Sequence, residues 1–136
     1  ANPDAAIALL LLAVSDVLAA GARLGAMVDV VPAERFGEIT FPVLVAHSDA
    51  DGVFPYAEAV DAYDRLPGEK YLLTMHGAVH ATVAENTPTT ADAAYQATTI
   101  AFWDRTLRGR VGEPFPAPIE GVTSFVDGTL DLPGTL

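Results

Sequence analysis

Four residues in the middle of the chain could do chemistry together: Asp49 and Asp51 in one short polar stretch, His76 and His80 in another. A carboxylate that accepts a hydrogen bond from an imidazole fixes the ring's tautomer and stabilises the imidazolium, and the other ring nitrogen then serves as a general base. Each residue also has a plainer reading. Aspartates are common in turns because their short side chains bond the local backbone, and loop histidines are usually solvated or structural. Their order gives the set its interest: the acids follow one apolar stretch and the histidines follow the next.

Those apolar stretches are the elements that must position the four side chains. Residues 39–47, ITFPVLVAH, centre on Val43-Leu44-Val45, the composition of a buried strand. The turn cluster SDADG follows. Pro55 then suits a first helical turn, and Tyr56, Ala59, Val60, Tyr63 and Leu66 continue at helical spacing until Pro67-Gly68. Residues 70–75, KYLLTM, read as a second strand, and 76–85 as loop. A long helix is expected from a cap at Thr87 or Thr90 to Leu107, with Ile100, Trp103 and Leu107 as its apolar stripe and Gly109 at its end. Strand, turn, helix, strand, loop, helix implies an α/β protein with a parallel sheet. In such sheets, functional groups gather on loops at the carboxyl ends of strands. Both candidate loops occupy that position.

The flanks are less regular. Residues 5–14, AAIALLLLAV, read either as a strand buried on both faces or as the start of a buried helix. Residues 19–27 are helical or loop-like, and 32–38 read as a polar connection. Pro114, Pro116 and Pro118 mark an extended stretch. Beyond them Asp127-Gly128 sits between the apolar runs 122–126 and 129–132, a hairpin signal. The 136 residues therefore form one segment in three parts: 1–38, 39–109 and 110–136.

Composition narrows the functional classes. The net charge of −11 argues against nucleic acid and anionic lipid as partners. With no cysteine, disulfide frameworks and thiolate metal sites are excluded. The uninterrupted apolar run is too short to span a bilayer, which needs about 20 residues, so no transmembrane segment is expected. The acidity, the single lysine at position 70 and a start at Ala-Asn-Pro favour a secreted protein over a cytoplasmic one.

The stretch FPVLVAHSDADGVFPYAEAVDAYDRLPGEKYLLTMHGAVHATV resembles the C-terminal part of the α/β-hydrolase fold, in its dienelactone-hydrolase and lipase-like branch. In that family a strand ends in a small-residue turn bearing the catalytic acid, followed by an apolar pair and Pro. Ser48 to Pro55 match it, and the acid falls on Asp51. A Gly-containing loop then ends in the catalytic histidine. Gly77-Ala78-Val79-His80 match it, and the base falls on His80. The resemblance covers roughly residues 39–109 and implies an esterase- or lipase-like serine hydrolase without a cofactor, acting on a small-molecule, lipid or polyester ester. Phe54 and Tyr56 are candidate substrate-lining residues.

The sequence departs from the family in one large respect. No G-x-S-x-G occurs in it, and Ser15, Ser48 and Ser124 all lack the elbow's glycines. The expectation is that an N-terminal half, on the same precursor or on a partner chain, carries the nucleophile. On that reading residues 5–14 are a strand. The alternative is a hydrolase-like binding or interaction module without catalysis. His76 and His80 stand four apart, as metal pairs on helices do, but Gly77-Ala78 read as loop and no third ligand is evident, so no metal is expected.

Overall fold

The computed structural model describes residues 9–12, 33–80 and 88–131. Residues 5–8, 13–14 and 19–27, the candidate cap Thr87 and Leu132 lie outside the described residues. Among the described residues, four strands form one sheet in the order β1 (Leu9–Leu12), β2 (Val43–Ser48), β3 (Lys70–Met75), β4 (Thr123–Asp127). The first three run parallel and β4 runs antiparallel to β3. Leu9–Leu12 is thus a strand despite the helical propensity of its leucines. Parallel pairing beside β2 supplies the hydrogen bonds and overrides that preference.

Helix α1 (Tyr56–Arg65) connects β2 to β3, and α2 (Thr90–Arg108) connects β3 towards β4. Alternation along β2 assigns them to opposite faces. Val43 and Val45 pack with Leu72 against Ala62 and Tyr63 of α1 and Leu66 at its C-cap. Leu44 and Ala46 pack with Tyr71 and Leu73 against Phe102 of α2. The sheet is therefore covered on both sides, as an α/β arrangement requires. Each fully buried large apolar side chain contributes about 1.5–3 kcal/mol to that packing.

Several expectations need correction. The stretch read as a polar connection contains a 3-10 helix (Ala33–Glu38), and its Phe36 is buried in the α1-side core. The stripe expected on α2 is wrong: Ile100 is 60% and Leu107 53% exposed, and only Trp103 is partly buried. The inner face is Ala91, Ala94, Thr98 and Phe102, mostly small residues that let the helix approach the sheet. Periodicity of large side chains misses a face made of small ones. The cap is Thr89, between the two expected positions. Its hydroxyl accepts from Asp92 N–H at 3.2 Å while Asp92 accepts from Thr89 N–H, a reciprocal box.

The expected hairpin is also absent among the described residues. β4 pairs with β3, and Gly128–Asp131 coil into a 3-10 turn. Asp127 accepts from Thr129 N–H at 3.0 Å, which turns the chain instead of extending it. A Cβ at Gly128 would meet the Tyr63 hydroxyl and come within 3.0 Å of the Lys70 carbonyl, so the strand's exit is held close to β3 by this glycine. The proline-rich stretch has no regular structure, and Phe115 within it joins Tyr71 and Phe125 in an aromatic cluster at 4.6 and 4.7 Å.

This packing sets a stability order. Phe102→Ala, emptying a fully buried ring position, is expected to cost about 3–5 kcal/mol, and Thr89→Ala about 1 kcal/mol. Urea denaturation followed by circular dichroism reads both. Equal costs would contradict the assignment of Phe102 to the core.

Candidate active site

The register of β2 on β3 pairs Ser48 with Met75, so both strands end at the same level. The chain leaves β2 through Asp49-Ala50-Asp51 and leaves β3 through His76 to His80. Asp49 N–H donates to the Met75 carbonyl at 3.2 Å, binding the start of one turn to the end of the other strand. The two loops named from sequence are therefore side by side.

Asp51 and His80 meet. His80 Nδ1 lies 2.7 Å from Asp51 Oδ2, with side-chain exposures of 15% for the histidine and 2% for the aspartate. A carboxylate can only accept, so Nδ1 carries the proton and Nε2 is left as the basic nitrogen. The other carboxylate oxygen, Oδ1, accepts Val53 N–H at 2.8 Å and Phe54 N–H at 2.9 Å. Burial pushes the Asp51 pKa up. The hydrogen bonds from His80, Phe54 N–H and Val53 N–H outweigh it and hold the group below its ordinary 3.8. Asp51 thus stays ionised in a largely dry position.

The two lining candidates have separate roles. The Phe54 ring packs against His80, centroids 5.0 Å apart, on the flank of the imidazole. The Tyr56 hydroxyl is engaged with Thr74 Oγ1 at 2.6 Å, and its ring stacks on His47. Tyr56 is thereby tied into the wall beneath the turn.

Two further contributors flank this pair: His47, and the Asp49–His76 couple already named from the sequence. His47, the penultimate residue of β2, is almost fully buried, and its Nε2 donates to the Phe54 carbonyl at 3.0 Å. The same nitrogen is 3.6 Å from Asp51 Oδ2, so His47 braces the Asp51 turn from below. The signal was its position at the end of a wholly buried strand, where a polar side chain needs a partner. The second is a pair built like the first: His76 Nδ1 donates to Asp49 Oδ2 at 2.7 Å, and Gly77 N–H donates to Asp49 Oδ1 at 2.7 Å. This pair is open, with exposures of 38% and 36%. The His76 bond, followed by Gly77 N–H, lowers the Asp49 pKa below 3.8.

Among the described residues, no group of three His, Asp or Glu side chains converges as a metal site would need, and no helix is long and apolar enough to cross a membrane. No protein-family model matches the chain, and the curated proteins searched contain no match to it. The chemistry legible here is that of an oriented, buried acid–imidazole pair.

Because the folded Asp51 pKa is depressed, the stability it contributes is present above about pH 4 and is lost as pH falls through the folded value. Asp51→Asn is expected to cost about 2 kcal/mol near neutrality. The gap from the parent should narrow as the pH drops below about 4. Thermal melts across a pH series measure this; a gap that widens in acid contradicts it.

Proposed function

We propose that this chain is the acid–base segment of an α/β-hydrolase and completes a Ser-His-Asp triad for carboxylic ester hydrolysis. The observation that carries the reading is the 2.7 Å contact between buried Asp51 and His80 Nδ1 at the carboxyl ends of adjacent parallel strands. Chain order supports it: acid turn, helix, strand, histidine loop, long helix. The nucleophilic serine comes from polypeptide outside these 136 residues, on an elbow that delivers it to the free side of the imidazole. The oxyanion hole comes from there as well.

In this reading His80 Nε2 takes the proton from the serine hydroxyl as its oxygen attacks the ester carbonyl. Asp51 stabilises the imidazolium that forms and keeps the ring in place. His80 then returns the proton to the departing alkoxide, and the same nitrogen activates water against the acyl-enzyme. Phe54 shields one flank of the imidazole, which lowers the local dielectric and strengthens its bond to Asp51. The substrate is a carboxylic ester, of a small molecule, a lipid or a polyester, and the protein is secreted.

A fluorophosphonate probe with denaturing intact mass of every chain present tests the assignment, alongside hydrolysis of p-nitrophenyl esters by the complete protein. An adduct is expected on the polypeptide that supplies the serine. His80→Ala and Asp51→Ala should each lower kcat by about 10⁴-fold. Full activity in His80→Ala, or no adduct and no hydrolysis in the parent, would refute the enzyme reading and leave a non-catalytic binding module.

A further inference from the structure

We infer that Asp49 and His76 form a positioning pair for the proposed catalytic base: they clamp the root of the His80 loop so that His80 arrives at Asp51. The inference rests on the triad reading for its effect on rate, though the placement of His80 can be read without it. Two aspartates two positions apart on one turn hold two histidines four apart on the next loop. The same atoms meet in each pair, Nδ1 to Oδ2 at 2.7 Å.

The two pairs differ in what surrounds them. Asp51 is buried and its second oxygen serves its own turn, through Val53 and Phe54 N–H. Asp49 is open, and its second oxygen crosses to the other loop, to Gly77 N–H. Both of its oxygens therefore grip the histidine loop at two successive residues, one through a side chain and one through the backbone. Gly77 has φ +68°, a left-handed conformation that turns the chain sharply at that grip. The opposite side of the root is held by His76 N–H donating to the Val122 carbonyl at 2.8 Å. Only Ala78 and Val79 separate this anchored root from His80, and Ala78 is buried against Met75 and Ala91.

Such a clamp matters because a misplacement of about 1 Å can cost on the order of 100-fold in rate. A half-exposed pair contributes little to global stability, so its loss should loosen the loop and leave the fold. Asp49→Ala removes both acceptors. Asp49→Asn keeps an acceptor for Gly77 N–H and offers an amide donor to the other tautomer of His76, so it is the conservative rescue.

The test uses the complete protein and its Asp49→Ala, Asp49→Asn, His76→Ala and doubly substituted Asp49→Ala/His76→Ala forms. Two signals are read: ester kinetics, and the low-field NMR resonance of the His80 Nδ1 proton bonded to Asp51. The expected result is a 10- to 100-fold loss of kcat with KM within about 2-fold in both alanine variants. The double variant should be no worse than either single, Asp49→Asn should recover most of the loss, and the His80 resonance should broaden in step with kcat. Unchanged kcat and an unchanged resonance in Asp49→Ala would overturn the inference. So would a loss confined to KM, or additive losses in the double variant. Asp51→Ala separates the two ideas: if it leaves hydrolysis intact the triad reading falls, while the His80 resonance still decides whether Asp49 positions the loop. Should Asp49→Ala fail to fold, Asp49→Asn and His76→Ala carry the same comparison.

Discussion

A carboxylate with almost no contact with water, ionised and fully occupied, is the constraint around which this structure is arranged. Asp51 accepts two backbone N–H groups and one imidazole N–H, and His47 supports the same turn through the Phe54 carbonyl. An unpaired buried carboxylate would be costly enough to protonate or to pull the turn open. Each donor therefore has to be held in place by something else. The two N–H groups are held by the turn into α1, His47 by the last buried pair of β2, and His80 by the loop after β3. Remove the parallel pairing of β2 and β3 and all three supports separate.

The parallel pairing in turn depends on two dissimilar faces. The α1 side is filled by valine, tyrosine and leucine side chains, with Phe36 from the 3-10 segment. The α2 side uses aromatic rings around Tyr71, while the helix presents small residues and one phenylalanine. Tyr71 buries its ring completely yet keeps its hydroxyl satisfied by donating to Glu69, which also receives Arg105 Nε at 3.3 Å. Burial, then the negative Glu69 beside it, raises the Tyr71 pKa and keeps the phenol protonated as a donor. A strand carrying so large a ring beside β4 and α2 holds its register firmly, and register places Met75 level with Ser48. The proposed chemistry lies just beyond that level.

Legibility in the sequence followed size and period. Strands β2 and β3, helix α1 and the long helix were readable because their apolar residues are large or properly spaced. The inner face of α2 was not, since alanine and threonine give no strong signal, while the exposed Ile100 and Leu107 gave a false one. Asp127-Gly128 carried a real turn signal, but the side-chain bond from Asp127 to Thr129 N–H directs the chain into a 3-10 turn. Of the site, Asp51 and His80 were legible as an ordered pair on successive loops. His47 was hidden by its place at the end of an apolar run, and its role depends on a carbonyl seven residues away.

Residue order along the chain was enough for the α/β class and for the two loops that carry acid and imidazole, and it holds no elbow serine, which the hydrolase reading must therefore draw from elsewhere. It pointed to Asp51 with His80 through the family resemblance alone, because all four residues have the same local chemistry. Tertiary packing separates the two pairs: the shared strand level, the left-handed turn at Gly77 and the burial beneath Phe54 bring Asp51 to His80 and leave Asp49 with His76 at the surface. Side-chain type can be read along a chain, but the dryness that distinguishes a buried pair from an open one is a property of the packed neighbours.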